Sequence, residues 1–452
     1  MAVTKKTVTN MTEGNIFRHI AVFSLPLLAG NLFQQLYNTV DTWVVGNFVG
    51  SAAFSAVGTV SPITNMLIGV FTGLSSGAGV VISQRFGGGS TEGVRKAVHT
   101  AMAATLIASV IFTVLGIAMI PFMLEIMNMP TDVYPEATIY LRIYFAGIAG
   151  QLIYNMGAAI LRAVGNSRQP FHFLMICAMS NVVLDLVFVL IFHMGVAGVA
   201  YATIISQAIS AALVVVVLMR TDSCIRLELP QLRIQNITLK AMIMIGLPTA
   251  LQMGVTSFSN IFVQAYINFF GSDCMGGWTA FNKIDQLIFL PAQSIGLATM
   301  TFVGQNLGAG QLKRAKQGVH RAFLFSLGIN LTIILSIHFS APALVQFFID
   351  KEEVLHYGVM FLRNLNPFYI VISITQIYSG ALRGAGRTRA PMFICLGSYV
   401  AFRQLYLFVM ANFIRNEALP IAMGYPAGWV LAATLFLLVY YSRGLEYNKV
   451  HT

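Results

Sequence analysis

Long apolar stretches constrain this chain more than any other feature of its sequence. Residues 101–122 and 431–441 contain no charged side chain, and residues 181–192 contain one. Of the 452 residues, 57% are hydrophobic and 10% are charged, which lies outside the range of soluble domains. Backbone amides find no water in a bilayer, so such stretches cross it as helices of about 20 residues. The sequence therefore predicts an all-α membrane protein with about twelve spans between residues 15 and 441, the tenth at 355–382.

The two halves of the chain repeat each other. The sequence Gln-Arg-Phe-Gly-Gly-Gly at 84–89 recurs 221 residues later as Gln-Asn-Leu-Gly-Ala-Gly. Leu-Arg-Ala-Val-Gly at 161–165 recurs at the same offset as Leu-Arg-Gly-Ala-Gly. Six spans per half bring both halves into the membrane in the same direction, so the repeats are parallel. Because duplicated halves of this kind usually enclose a site that opens alternately to each side, transport is the first hypothesis.

The polar segment between the halves sets the expected domain boundaries. Residues 221–237 are predicted to form a cytoplasmic linker between an N-terminal six-helix lobe at 1–220 and a C-terminal six-helix lobe at 238–452. The sequence has no Gly-x-x-x-x-Gly-Lys-Ser/Thr phosphate-binding loop, and the glycines at 87–89 follow a span rather than a strand. We therefore expect no cofactor, and we expect an ion gradient or the substrate itself to supply the energy.

The net charge of +11 lies mostly on one side of the predicted spans. The loops at 313–321 and 383–389 are basic, whereas the opposite loops carry acids such as Glu125, Asp132 and Asp273. The positive-inside rule places both termini in the cytoplasm of a multi-pass protein of the cell (plasma or inner) membrane. The lipid bilayer, and not a nucleic acid, is therefore the expected partner of the basic residues. Residues 1–15 lack a cleavable signal pattern, so the first apolar stretch is expected to be retained. A monomer is expected.

Acids within the spans are the main candidates for function, because a carboxylate in a bilayer is costly and usually faces a cavity. Asp41 shares one face of the first helix with Gln34 and Asn38, although a helix end in headgroup water would also explain it. Asp185 lies mid-span, one turn after Asn181, and no basic residue shares that helix interior. It either exchanges a proton, since burial favours the neutral acid, or helps to hold Na⁺. The structural alternative is a protonated Asp bonded to a neighbouring helix.

Other hydroxyl and amide groups accompany these acids in the first half. At such positions they either close a binding site or hold membrane helices together. They occur in pairs four residues apart: Tyr140 and Tyr144, Gln151 and Asn155, Thr203 and Gln207.

The second half carries a different set of polar residues. The seventh span has a ridge at four-residue spacing that includes Gln252, Asn260 and Gln264 but no acid. Lys283 and Asp285 on the eighth span are two residues apart and do not face each other. Three roles are open for these two residues: they bind substrate, they couple the two lobes, or they neutralise each other's charge. The acidic ion site is therefore expected in the first lobe.

Several of these motifs together resemble the multidrug and toxic compound extrusion (MATE) family. The resemblance rests on Leu25-Pro26, the first-helix run ending at Asp41, the glycine-rich turns and Leu-Arg-Ala-x-Gly-Asn-Ser-Arg-Gln-Pro at 161–170, with its repeat at 382–391. It covers nearly the whole chain. It implies two six-helix bundles that form a V, and antiport of amphiphilic or cationic organic compounds against H⁺ or Na⁺.

Within that family, the acids are similar to those of the DinF-like branch. The NorM-like branch has acids on its seventh and tenth helices, where this chain has Gln264 and Gln376. The resemblance implies a coupling set in the first lobe: Asp41, Tyr140, Asn181, Asp185 and Thr203. The Na⁺ ligands, if sodium is coupled, would be Asp41, Asn181, Asp185 and Thr203. The expected substrate cavity is lined by Gln34, Tyr37, Asn38, Tyr144, Asn155, Gln252, Asn260, Gln264, Lys283 and Asp285.

Other functions remain as alternatives. A lipid-linked oligosaccharide or lipid flippase of the same superfamily is the nearest, although its cavity often holds more basic residues than Lys283 and Arg403. A major-facilitator carrier also has parallel halves, but its basic loop signature after the second helix is absent. An enzyme would need a metal or nucleophile cluster, and no two histidines of this sequence are four residues apart. A channel would be excluded by a saturable, gradient-driven flux.

Overall fold

The computed structural model describes residues 8–49, 51–127, 129–131, 133–348 and 351–445. Asp132 lies outside the described residues, as do the side chains at positions 41, 42, 47, 51–55, 61, 62, 258 and 261. All regular secondary structure in the described part of the chain is helical, as predicted. The helices of the first half are α1 (Ile16–Val44), α2 (Ser51–Gly87), α3 (Thr91–Ile126), α4 (Tyr134–Ala163), α5 (Arg168–Leu186) and α6 (Gly195–Arg220). Those of the second half are α7 (Asn236–Asn268), α8 (Ser272–Gly308), α9 (Leu312–Gln346), α10 (Glu352–Leu365), α11 (Tyr369–Gly384), α12 (Arg389–Cys395), α13 (Arg403–Val409), α14 (Ala418–Ala422) and α15 (Gly424–Arg443).

The number of membrane-crossing segments agrees with the prediction of about twelve. Eleven helical segments in the described residues are long and apolar enough to cross a membrane. The remaining predicted span, at 355–382, is formed by α10 and α11, which have 14 and 16 residues. The short turn Asn366–Phe368 separates them. Pro367 lies in this turn and has no amide N–H with which to continue a helix, so the span is made of two parts.

The described chain divides into two compact units at positions that differ from the expected linker. The first unit consists of residues 8–10 and Pro26–Gly246, and the second of Met11–Leu25 and residues 247–445. Helices α1 and α7 therefore each belong partly to one unit and partly to the other. The change falls at Pro26 in α1 and next to Pro248 in α7. Proline interrupts the backbone hydrogen bonding of a helix, so the two parts of each helix can pack differently.

The segment that joins the halves is docked on the first unit. The Glu228 amide donates to Nε2 of His99 at 3.1 Å, and the Glu228 carboxylate pairs with Arg95 at 2.6 Å. The Gln235 amide donates to Oγ1 of Thr100 at 3.3 Å. All three partners lie on α3. The expected linker therefore packs against α3 of the first unit through Glu228 and Gln235.

Glycines allow close helix contacts within each unit. A Cβ atom at Gly380 of α11 would lie 2.3 Å from the carbonyl oxygen of Gly296 in α8. A Cβ atom at Gly77 of α2 would lie 2.5 Å from the backbone nitrogen of Gly246 in α7. Small residues let membrane helices approach until their backbones touch. In the second unit, the contact between Gly380 and Gly296 holds α11 close to α8. These two helices carry Tyr369 and Asp285.

One face of α3 shows what surrounds the protein. Ten large apolar side chains on this helix are exposed, among them Ile107, Val110, Ile111, Val114, Leu115 and Phe122. A soluble monomer rarely exposes an apolar patch of this size. Contact with lipid tails explains it, because the hydrocarbon interior carries no cost for apolar surface.

Candidate functional site

The first unit buries an acid in the middle of a span. Asp185 of α5 is 0% exposed, and Asn181, one turn earlier, is 1% exposed. Two residues after Asp185, the helix continues as a π-helical turn, Val187–Ile191, an irregularity that is frequent at functional sites. Both amide atoms of Asn181 are buried and have no hydrogen-bond partner among the described residues. Buried polar groups are nearly always satisfied, so these two atoms are available to a ligand or ion.

Two tyrosines of α4 lie in the same region. The rings of Tyr140 and Tyr144 are stacked with 6.2 Å between their centroids, and both side chains are buried. The hydroxyl of Tyr144 has no partner in the part of the chain that the structure describes. Both tyrosines belong to one hydrophobic cluster with Val199 of α6 and Leu186 of α5, the residue that follows Asp185. The structure therefore places the predicted tyrosines in the same cluster as the residue after Asp185, and their contact with the acid itself stays a prediction.

Helix α6, which packs against α4 and α5, contributes two more predicted residues. Thr203 is buried, and its Oγ1 donates to the Val199 carbonyl oxygen at 3.0 Å. The hydroxyl oxygen can still accept a bond or bind an ion through its lone pairs. Gln207 is buried as well, and its Oε1 has no partner among the described residues.

The remaining residues predicted for the first half are less enclosed. Gln34 and Tyr37 of α1 are half-buried, and Asn38 is exposed. Asp41 lies in α1 by its backbone, but its side chain is outside the described residues, so its relation to Asp185 stays a prediction. Asn155 of α4 is half-buried and donates to the Gln151 carbonyl oxygen at 3.0 Å.

The polar ridge of α7 in the second unit is largely engaged with neighbouring residues. The buried Gln252 accepts a bond from Arg383 at 3.1 Å and donates to Sγ of Cys395 at 3.0 Å. One turn from the end of the helix, Gln264 donates to Asn268 at 2.7 Å. Gln252 thus takes part in a buried network, whereas Gln264 is bonded within its own helix.

Lys283 and Asp285 are not paired with each other. The carboxylate of Asp285 accepts a hydrogen bond from the hydroxyl of Tyr369, which is 1% exposed. Lys283 is exposed, and none of the ion pairs formed by the described residues includes Lys283 or Asp285. Of the roles considered for the two residues, mutual neutralisation has no contact to support it.

Sequence reasoning noted Arg403 as a buried cation but did not assign it to a site. Arg403 is 2% exposed and donates to Ser259 at 2.7 Å and to Asn260 at 2.9 Å. Its guanidinium carbon lies 4.8 Å from the centroid of the Tyr425 ring. Its position inside a predicted span was the available signal, because charged residues within spans are rare and usually functional.

The two units thus offer different chemistry. The first has a buried carboxylate with amide and hydroxyl oxygens nearby, a donor set suited to a proton or a hard cation. The second has both an acid and an arginine. No group of three or more His, Cys, Asp or Glu residues in the described part of the chain could hold a metal ion.

Duplicated apolar spans with buried polar groups in both halves define a polytopic membrane transporter. The chain belongs to the MatE family, which matches residues 26–187 and 248–405. This confirms the resemblance drawn from the repeated motifs and places the protein among multidrug efflux transporters rather than enzymes.

The relatives agree with this assignment over nearly the whole chain. The probable multidrug resistance protein YpnP of Bacillus subtilis is 26% identical over 416 residues, which cover 92% of this chain and 93% of that protein. The probable multidrug resistance protein NorM of Thermotoga maritima is 26% identical over 448 residues, covering 97% and 95%. A solved outward-facing structure of a multidrug resistance MATE family transporter matches with a TM-score of 0.91 over 99% of each chain at 22% identity, which shows a shared fold.

Proposed function

We propose that this protein is a secondary active antiporter that exports amphiphilic, cationic organic compounds in exchange for H⁺ or Na⁺ by alternating access. The observation that carries the proposal is Asp185, a fully buried carboxylate in the middle of α5, beside the unsatisfied amide atoms of Asn181. Membership of a multidrug efflux family supplies the direction and the general class of substrate.

The coupling step follows from the cost of burying a charge. A carboxylate without a cation is unstable in a low-dielectric interior, so Asp185 is favoured only when a proton or a cation neutralises it. When this region opens to water on the other side, the carboxylate is hydrated and the ion can leave. Exchange between these two conditions links ion movement to the conformational cycle.

The residues of the coupling set divide by role. Protonation needs only Asp185 and Asp41, with Tyr140 as a neighbouring hydroxyl. Sodium would need several oxygens, which Asp41, Asn181, Asp185 and Thr203 can provide. The same residues support an assignment to the DinF-like branch, since the second unit has Gln264 and Gln376 where acids would otherwise stand.

The polar residues outside this set are proposed to line the substrate cavity. They are Gln34, Tyr37, Asn38, Tyr144, Asn155, Gln252, Asn260, Gln264, Lys283 and Asp285. The protein is proposed to act as a monomer in the cell (plasma or inner) membrane, with both termini and residues 221–237 in the cytoplasm. The two units would then correspond to the two six-helix lobes, except that Met11–Leu25 belongs to the second unit and residues 238–246 belong to the first.

Efflux from proteoliposomes tests this function. The purified protein is reconstituted with a fluorescent cationic dye inside, and proton and sodium gradients are imposed in separate runs. We expect dye export with one gradient and none without a gradient. If no compound in a broad panel moves with either gradient, antiport fails, and movement of a lipid-linked sugar in a parallel assay would select the flippase instead.

A further inference from the structure

Arg403 lies inside a membrane span of the second unit and is almost completely buried. It directly follows a π-helical turn, Leu396–Phe402, and Asp185 in the first unit also lies next to such a turn, separated from it by Leu186 alone. Its side chain is 2% exposed. Its neighbour Ser259 is 0% exposed, whereas its neighbour Asn260 is exposed. The buried guanidinium is therefore bonded to a polar residue that lies at the protein surface.

The contacts of Arg403 leave part of its hydrogen-bonding capacity unused. One terminal nitrogen, Nη2, donates to Oγ of Ser259 and to Oδ1 of Asn260. Ser259 is itself held in place, because its hydroxyl donates to the Tyr399 carbonyl oxygen at 2.7 Å and accepts from Gln404 at 3.1 Å. The Nε atom of Arg403 is buried and has no partner among the described residues.

The positive charge also has no counter-ion in contact. Within the described residues, no carboxylate lies within 4.0 Å of Arg403. Asp285, the acid in the interior of the second unit's spans, is occupied by Tyr369. A chain of aromatic contacts connects the partners of the two charges, since Trp429 is 5.4 Å from Tyr369 and 5.9 Å from Tyr425, centroid to centroid.

The described neighbours of Arg403 do not fully offset the free-energy cost of burying its charge. A buried ion without a partner costs several kcal/mol, and two neutral oxygens and one ring offset only part of that cost. A guanidinium presents parallel N–H groups in a fixed plane that match the two oxygens of a carboxylate or phosphate. An oxyanion would therefore satisfy both the charge and the unused donor.

We propose that Arg403 binds an oxyanion, the carboxylate or phosphate of an amphiphilic ligand, at a site in the second unit formed with Ser259, Asn260 and Tyr425. The partly exposed ring of Tyr425 would pack against the apolar part of the ligand. The inference rests on the proposed function only in taking that ligand to be exported. It extends the substrate class from cationic compounds to zwitterionic and anionic amphiphiles.

Binding of matched pyrene probes to the purified full-length protein tests the site. The three probes are 1-pyrenebutyrate, 1-pyrenebutanol and 4-(1-pyrenyl)butyltrimethylammonium, which share the ring and differ in the head group. Quenching of tryptophan fluorescence reports binding, because Trp429 belongs to the same aromatic cluster. For Arg403→Gln we expect roughly tenfold or greater loss of affinity for the butyrate, from one lost charge-assisted bond. Affinity for the alcohol and the ammonium probe should stay within about twofold.

The matched control is Arg415→Gln, since Arg415 is exposed and pairs with Glu417 at 2.8 Å. This variant should bind all three probes as the native protein does. Equal loss of all three probes in Arg403→Gln, or unchanged affinity for the butyrate, overturns the proposal.

A second variant guards against a folding defect. Asn260→Asp places a carboxylate where Asn260 now accepts from Arg403, so it supplies an internal counter-ion. We expect a higher melting temperature and weaker binding of the butyrate probe. Unchanged butyrate affinity in the folded variant also overturns the proposal.

The oxyanion can come from a membrane lipid or from an exported compound, and the lipid composition of the membrane distinguishes these two sources. Nanodiscs of phosphatidylcholine alone are compared with nanodiscs that contain phosphatidylglycerol. Arg403-dependent competition by phosphatidylglycerol assigns the site to an anionic lipid headgroup, and butyrate binding that is equal in both assigns it to an exported compound. Because these are binding measurements, the site can fail while gradient-driven efflux persists, and efflux can fail while the site binds.

Discussion

The hydroxyl of Tyr369 donates a hydrogen bond to the carboxylate of Asp285 between α11 and α8 of the second unit. Tyr369→Phe removes the donor and leaves a poorly hydrated acceptor, which costs about 1–3 kcal/mol. We expect a lower melting temperature of the detergent-solubilised protein. A double-mutant cycle with Asp285→Asn measures the coupling, and strictly additive effects of the two changes would contradict a direct bond.

Asp185 and Asp41 are expected to be essential for ion coupling. Asp185→Asn and Asp41→Asn keep the size and some hydrogen bonds of the side chain but remove its titrating charge. Each variant should insert and fold, yet lose gradient-driven efflux at least about tenfold, because an amide cannot exchange a proton or neutralise Na⁺. Initial rates from proteoliposomes provide the measurement.

Asp222→Asn is the matched control for these acids, since Asp222 is exposed in the segment between α6 and α7. It should transport normally. The proposed role is wrong if both interior variants transport at native rates with unchanged ion dependence.

Removal of polar side chains from the second unit should leave ion coupling intact, unlike removal of the acids from the first unit. Gln264→Ala removes a bond to Asn268 on the same helix, and Gln376→Ala removes a half-buried amide. Neither side chain titrates, so ion-coupled efflux should persist in both variants. A complete loss of coupling in both, with normal folding, would move the ion site to the second unit.

The contact of α8 with α11 predicts a stability effect at Gly380. Gly380→Ala would place a methyl group 2.3 Å from the Gly296 carbonyl oxygen, so the helices must separate, at a cost of about 1–3 kcal/mol. Gly328→Ala in α9 is the control, because no atom lies within 4 Å of its Cβ position. This control should be neutral or stabilising by up to about 1 kcal/mol. Equal melting temperatures for the two variants would contradict the close contact.

Cys224 offers a test of topology without engineered residues. It is half-buried, whereas Cys177, Cys274 and Cys395 are buried. A membrane-impermeant maleimide should label Cys224 in inside-out vesicles but not in intact cells, and Cys224→Ser should abolish the label. Labelling of intact cells would place residues 221–235 outside the cytoplasm.

The pH dependence of that labelling follows from burial, which raises the pKa of the Cys224 thiol. Only the thiolate reacts, so labelling near neutral pH should be slower than for an exposed thiol. The rate should continue to rise above pH ~8.5, where an ordinary thiol is already half-ionised.

The sequence by itself determined the spans, the duplication, the family and the candidate acid at position 185. These features are local or periodic: an apolar stretch must be helical in lipid whatever surrounds it, and a repeat is visible at a fixed offset. The break at Pro367 in the tenth span is also local in origin, since it follows from the missing N–H group, although one continuous span was expected at 355–382.

Only the tertiary structure decided which distant residues meet. Tyr369 lies 84 residues from Asp285, and Arg403 lies 144 residues from Ser259. The helical period tells which residues share a face, but the rotation of each helix and the choice of its neighbours depend on packing across the whole unit. For the same reason, His99 and His320 are equivalent in the repeat, yet His99 is buried against Glu228 and His320 is exposed. The duplication determines where the helices of both halves begin and end along the sequence. Side-chain packing determines which polar residues meet in each unit.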